Sequence, residues 1–168
     1  MRFARLATIA LLVLIVGCGK SNKLAALLPD APEGWKIEGS NTNNDVSGVG
    51  HSSARSYVPA GGSSGVQRVT VQILLAEKGA DQNKLQAMAL EKQAFFKERK
   101  EVRGFPAYET FPLPDNDVHS LDIIPKTGAW VVVIAYKGGP GWEKQENRRA
   151  AVSAFTAKLD LKKIAAFE

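Results

Sequence analysis

The stretch WVVVIAY, residues 130–136, decides the fold of this chain. It is a continuous apolar run rich in Val and Ile, and turn-forming residues flank it: KTG at 126–128 and GGPG at 138–141. Gly and Pro clusters of this kind end regular structure. A strand that is apolar on both faces is typical of the centre of a covered sheet. The sequence therefore predicts that residues 130–136 form a central strand that is buried on both sides.

Further strands are predicted on both sides of this run. Residues 66–76 alternate apolar and polar side chains, and with residues 54–58 they predict an antiparallel hairpin across a glycine-rich turn. Residues 35–38 alternate weakly, and the Gly, Ser and Asn content of residues 39–53 predicts a loop. Other strands are predicted at 102, 107–111 and 119–124.

Two main helices are predicted. Residues 82–100 follow a plausible N-cap at Asp81 and carry apolar residues at helical spacing. Residues 143–159 have acidic residues early and a lysine late, as the helix dipole prefers. The predicted buried side of this second helix is Ala151, Ala154, Phe155 and Leu159, and residues 161–167 are expected to pack back on the body. This order predicts an α+β fold, a mostly antiparallel sheet with two main helices packed on it.

The N-terminus has the pattern of a secretory signal peptide. Two arginines precede an apolar stretch, residues 6–16, and Gly17 and Cys18 follow it. Eleven helical residues span about 16 Å, which is too short for a hydrocarbon core of about 30 Å. We therefore expect a helical signal peptide over residues 1–17, with cleavage between Gly17 and Cys18.

The residues Ile15-Val16-Gly17-Cys18 resemble the lipobox of bacterial lipoproteins. The resemblance implies that Cys18 becomes the acylated first residue of the mature chain and joins it to the membrane. It also implies an exported protein, and Gly19 implies delivery to the outer membrane, facing the periplasm, in a Gram-negative cell. Cys18 is the only cysteine. An intramolecular disulfide is therefore excluded, and acylation gives this unpaired thiol a role.

Composition is consistent with one soluble domain behind that anchor. Cleavage after residue 17 leaves 168 − 17 = 151 residues, and removal of the two leader arginines changes the formal net charge from +5 to +3. We predict a lipidated cysteine and tether over residues 18–33, with one helical turn at Leu24 to Leu28, and a single domain over residues 34–168. The charge is mild and no recognition motif accompanies it, so a nucleic-acid partner is not predicted.

The element order from Trp35 to Leu161 is similar to the PsbP-like α/β/α sandwich. A Gly-Phe-Pro-Ala turn, residues 104–107, adds to this resemblance. The resemblance implies a fold and no particular function, because folds of this kind carry unrelated activities.

No motif indicates a metal or cofactor site. The histidines His51 and His119 lack the close spacing of zinc ligands, and both are expected at the surface. Residues 115–117, DND, resemble the start of a calcium loop, but Ser120 and Lys126 stand where the loop needs Gly and Glu. The glycines at 138–141 lack the Lys-Ser/Thr of a phosphate loop.

One basic cluster is present, and it is interpreted as the solvated end of the first predicted helix. Contact with anionic lipid is the alternative. The cluster consists of Lys97, Arg99, Lys100 and Arg103.

Two functions remain open from the sequence. The first is a non-enzymatic envelope protein that binds a partner or supports an assembly. The second is an envelope enzyme or enzyme accessory whose site combines residues distant in sequence, such as Glu109 and Asp122.

Overall fold

The described part of the chain folds around one seven-stranded antiparallel sheet. The computed structural model describes residues 23–43, 50–61, 67–77, 79, 96–110, 118–136, 138, 142 and 144–168. The strands run in the spatial order β1-β2-β3-β7-β6-β5-β4. They are β1 Trp35–Asn43, β2 Gly50–Pro59, β3 Arg68–Ala76, β4 Phe96–Val102, β5 Phe105–Thr110, β6 Val118–Lys126 and β7 Ala129–Tyr136. Helices α1, Gln145–Lys158, and α2, Leu161–Ala166, follow the last strand. The mostly antiparallel sheet is confirmed, and in the described residues strands outnumber helices.

Strand β7 is the fourth of the seven, with β3 on one side and β6 on the other. Val131, Val133 and Ala135 are fully buried on the face that carries α1, which is called the helix face below. Trp130 and Val132 are buried on the opposite face. The central position and the two-sided burial predicted for residues 130–136 are confirmed. An uninterrupted apolar run is stable only where both faces are removed from water.

The hairpin predicted from residues 54–76 is also confirmed, since β2 pairs antiparallel with β3. Its first strand is longer than predicted, and β1 extends to Asn43. The prediction of a loop over residues 39–53 is therefore wrong at both ends, because residues 39–43 pair with residues 52–56. Backbone pairing between neighbouring strands overrides the poor strand propensity of Gly, Ser and Asn.

Helix α1 confirms the second predicted helix and lies over β6 and β7. Phe155 is fully buried, and its ring contacts the rings of Trp35 and Tyr57 at centroid distances of 5.1 and 4.6 Å. The predicted buried side is correct for Phe155 and Leu159 but wrong for Ala154, which is exposed. Arg148, Val152 and Thr156 are buried instead. The buried side of α1 therefore differs from the predicted one, and the side chains on it are larger than alanine.

The prediction of the first helix, residues 82–100, is wrong at its C-terminal end. Residues 96–100 belong to β4, which pairs with β5. The two strands meet at Arg103 and Gly104, which both have positive φ, 51° and 85°. Two such residues in succession are typical of a tight hairpin turn. The rest of that predicted helix lies outside the described residues.

The segment before β1 packs against the sheet. Residues 23–25 are helical, and Leu24, Leu27 and Leu28 join the core on the helix face. Each buried leucine contributes about 2 kcal/mol from its apolar surface. This packing differs from the prediction of a tether over residues 18–33, since the folded body includes the chain from Leu24 onward.

The C-terminal residues also pack on the body, as expected. Leu161 and Ile164 of α2 are buried. The carboxylate of Asp160 accepts a hydrogen bond of 3.0 Å from the backbone N–H of Lys163, which caps the start of this helix.

Candidate functional site

The predicted attachment residues Gly17 and Cys18 lie outside the described residues. The described chain begins five residues after Cys18, and its first turn is held by two side chains from β2. The Arg55 guanidinium donates hydrogen bonds to the carbonyl oxygens of Pro29 at 2.9 Å, Leu28 at 3.3 Å and Ala25 at 3.5 Å. The Tyr57 hydroxyl donates to the same Pro29 oxygen at 2.5 Å. We call these two side chains the clamp.

The clamp is built by strand geometry. Arg55 and Tyr57 are two positions apart on β2, so both side chains project from the helix face. Arg55 supplies donors to carbonyl groups at the end of the helical turn and just beyond it, and one of them, that of Ala25, also accepts from the backbone N–H of Leu28. Burial raises the pKa of Tyr57 to about 12, although the neighbouring Arg55 acts in the opposite direction. The phenol therefore stays protonated and keeps donating to Pro29 at any physiological pH.

A second polar feature on the helix face is an ionic cluster centred on Glu109 of β5. This carboxylate is almost fully buried. It accepts a hydrogen bond from Arg149 of α1 at 2.9 Å and forms a close ion pair with Lys100 of β4. Glu98 lies 3.8 Å from the Lys100 ammonium group. The cluster thus joins the last two strands of the sheet to α1.

His119 of β6 completes the cluster. Its Nε2 atom lies 3.0 Å from Oε1 of Glu109. The contact lacks hydrogen-bond geometry, since neither ring nitrogen of His119 has a hydrogen-bond partner in the described part of the chain. We therefore treat it as an electrostatic contact.

The pKa values of Glu109 and His119 follow from burial and from their neighbours. Burial alone raises the pKa of Glu109, but hydrogen bonds from Lys100 and Arg149 outweigh it and leave the pKa lowered. Burial lowers the pKa of His119, and the attraction of the Glu109 carboxylate offsets this only in part. At neutral pH the cluster therefore contains a charged carboxylate and a neutral imidazole.

The prediction of a surface position for His119 is wrong, since its relative exposure is 1%. The sequence contained the signal. His119 has the same strand parity as Leu121 and Ile123, so it shares their buried face. His51 is partly exposed, and its Nε2 atom lies 2.8 Å from a carboxylate oxygen of Glu77.

The interpretation of the basic cluster as a helix end is also wrong, because its residues lie on β4 and on the turn that follows. Lys100 faces Glu109. Arg103 donates hydrogen bonds to the carbonyl oxygens of Leu159 at 2.9 Å and Thr156 at 2.6 Å. These acceptors end α1, where a cation is favoured by both hydrogen bonding and the helix dipole.

The two carboxylates considered for an enzymatic site project from opposite faces of the sheet. Glu109 faces Leu121, on the helix face, whereas Asp122 pairs with Tyr108 and Val132 on the other face. Successive residues of a strand point to opposite sides. Glu109 and Asp122 therefore do not share a site.

Comparison with known proteins assigns no family. No family model, curated protein or solved structure matches this chain. Within the described residues there is no group of three or more His, Cys, Asp or Glu side chains able to hold a metal ion. The described helices also include none that is long and apolar enough to cross a membrane. The calcium-like residues 115–117 lie outside the described ranges.

Proposed function

We propose that this chain is a lipid-anchored protein of a bacterial cell envelope whose domain is a non-enzymatic binding or assembly-support module. The observation that carries the proposal is the pattern Ile15-Val16-Gly17-Cys18 at the end of a basic and apolar leader. In this proposal residues 1–17 are a helical signal peptide, and Cys18 bears the acyl chains. The domain is a PsbP-like sandwich with two main helices, held at the periplasmic side of the outer membrane in a Gram-negative cell.

The start of the folded body supports a short link to the membrane. Five residues, 19–23, separate Cys18 from buried Leu24. Five extended residues reach at most about 18 Å. The clamp holds the turn that follows, so a pull on the tether meets packed leucines and charged hydrogen bonds. A domain linked in this way stays close to the lipid surface.

The contacts within the ionic cluster support the proposal that its charged groups stabilise the fold and do not catalyse a reaction. The Glu109 carboxylate is engaged by Lys100 and Arg149 and lies against His119. A carboxylate held by two cations has a lowered pKa and is a weak general base. With Asp122 on the other face of the sheet, the pair considered for catalysis is separated.

The anchor is tested by fatty-acid labelling of the full-length chain expressed in a bacterium. The native chain is expected to incorporate labelled palmitate and to partition into the detergent phase. Its intact mass is expected to be that of residues 18–168 plus the attached acyl groups. Cys18→Ser is expected to lose the label. A matched control, Cys18→Ser combined with Ser21→Cys, moves the thiol three residues out of the pattern and is also expected to remain unlabelled.

Labelling of either variant would refute Cys18 as the acylated residue. A membrane-purified native protein that retains residues 1–17 would refute the signal peptide.

A further inference from the structure

The connection between β3 and β4 has to cross one face of the sheet. These two strands are separated in the sheet by β7, β6 and β5. Each of the pairings in this series is antiparallel, so β3 and β4 run parallel to each other. The chain therefore leaves β3 at Ala76, at one end of the sheet, and enters β4 at Phe96, near the other end. Parallel strands are joined by a crossover, usually a helix.

The length of this connection suits a helix that runs diagonally over the sheet. The register of the paired strands sets Phe96 level with Thr70, six residues before Ala76. Six residues along the strands and four strand spacings give a diagonal of about 28 Å. The predicted helix over residues 82–95 would rise about 21 Å. Residues 77–81 reach up to about 18 Å when extended, so the two parts together span the diagonal.

The face of the sheet opposite the helix face, called the second face below, is the one left for this crossover. Helices α1 and α2 pack into the core on the helix face, as does the turn before β1. Leu74, Trp130 and Val132 are 8%, 7% and 8% exposed but are not part of that core. No described helix lies over them. Residues 80–95 are the longest internal stretch outside the described residues.

The second face also buries a carboxylate. Asp122 of β6 is 3% exposed and is paired in register with Val132 at the centre of this face. The other buried carboxylate in the described residues, Glu109, is on the helix face. Removal of a carboxylate from water is costly unless a cation or hydrogen-bond donors offset it. The segment that covers Asp122 is therefore expected to bring a positive charge.

The predicted helix carries a lysine in the middle of its apolar side. Lys92 follows Met88 by four residues and Leu85 by seven. These spacings place the three residues on one side of a helix. A cation at the centre of an apolar stripe faces the surface that the stripe covers, so it needs an anion on that surface.

We propose that residues 82–95 form a helix on the second face and that the Lys92 ammonium group pairs there with the Asp122 carboxylate. The positions agree along the path of the crossover. Lys92 is four residues before Phe96, in the last turn before β4, and Asp122 lies on β6, two strands from β4. The inference rests on the described sheet and on this segment, and it is independent of the lipid anchor.

A double-mutant cycle on the full-length chain in mild detergent tests the pair. Lys92→Met and Asp122→Leu each remove one charge and keep roughly the size of the side chain. Urea denaturation is expected to show that each single variant lowers the equilibrium constant for folding at least about 100-fold, because the remaining charge is buried without its partner. The double variant is expected to stay within about tenfold of the native chain, since apolar side chains can replace a buried ion pair.

Two cations serve as matched controls. Lys84→Met changes a lysine of the same predicted helix, eight residues earlier, and Arg99→Met changes the described arginine that pairs in register with Tyr108, beside Asp122. Both are expected to be mild and to add to Asp122→Leu without coupling. Equal coupling of either control to Asp122→Leu would overturn the proposal, as would a mild Lys92→Met or a double variant as costly as the sum of its singles.

The test remains decisive where a single variant fails to fold. Far-UV circular dichroism of the double variant Lys92→Met with Asp122→Leu then gives the answer. A folded double variant supports the pair, because the second substitution rescues the first. An unfolded double variant refutes it.

Discussion

Loss of the Arg55 guanidinium is expected to release the first turn of the folded chain. Arg55→Met keeps most of the apolar side chain and removes the donors to Pro29, Leu28 and Ala25. Hydrogen bonds from a charged group contribute about 1.5–3 kcal/mol. Only the bond of 2.9 Å to Pro29 is close to ideal length, and those of 3.3 and 3.5 Å are long. We expect a loss of about 2 kcal/mol, because one good charged bond dominates.

Urea denaturation measures this loss, and hydrogen exchange locates it. The backbone N–H groups of Leu27 and Leu28, which donate to the carbonyl oxygens of Leu24 and Ala25, are expected to exchange faster in Arg55→Met. Arg68→Met is the matched control. Arg68 makes an exposed ion pair with Glu38, and such pairs contribute less than about 1 kcal/mol. If Arg55→Met were as mild as Arg68→Met and left both exchange rates unchanged, the clamp would have no energetic role.

The Tyr57 hydroxyl adds a coupling test, because it donates to the same Pro29 oxygen as Arg55. Tyr57→Phe alone leaves that oxygen with Arg55 as a donor and is expected to cost about 1 kcal/mol. The double variant removes both donors from one carbonyl group. Its cost is therefore expected to exceed the sum of the two single losses. Strict additivity would show that the two bonds act independently.

Three further predictions concern the core and the ionic cluster. The pKa of buried His119 is lowered in the folded chain, so below a pH of about 6.5, the ordinary histidine pKa, the unfolded chain binds more protons than the folded chain. The midpoint of urea denaturation should therefore fall as the pH drops through this range. Because the pKa of Glu109 is also lowered, the free energy of unfolding should fall further when the pH drops below 4.5, the ordinary value for this carboxyl group. His119→Leu should remove the decrease in stability near pH 6.5 and keep the decrease below pH 4.5. Phe155→Ala should cost about 3–5 kcal/mol in urea denaturation, while Phe155→Leu should cost less because it leaves a smaller cavity. A loss below 1 kcal/mol for the alanine variant would contradict full burial of that ring. Val132→Asp sets a second carboxylate beside Asp122 on the buried face and should prevent folding, whereas Val132→Ala should remain folded. Circular dichroism measures the folded structure of both variants.

Strand patterns gave the most accurate predictions in this chain. The run at 130–136 and the alternation at 66–76 predicted a central strand and a hairpin partner, because side-chain polarity records which faces meet water. The same parity argument places His119 beside Leu121 and Ile123, although its residue type suggested the surface. Residues 96–100 were predicted as helix because charged and aromatic side chains satisfy a helical spacing as well as an edge strand.

The candidate features could be predicted less well, because their members are distant in sequence. Arg55 and Pro29 are 26 residues apart, and Arg149 and Glu109 are 40 apart. No local spacing rule connects such pairs. The leader differs from these features, because its positive charges, its apolar stretch and its cysteine all lie within twenty adjacent residues. The anchor is therefore a hypothesis that the sequence alone supports.

The sequence by itself determined the antiparallel sheet, its central strand and the helix before the C-terminus. These features depend on local polarity patterns and on turn residues such as Gly128, which has a φ of 78°. Only the tertiary structure decided that Leu24 belongs to the core, that Glu109 and Asp122 lie on opposite faces, and that β1 is the last strand at one end of the described sheet. Each of these depends on which strands become neighbours, and neighbour choice is set by the packing of the whole chain rather than by any single segment.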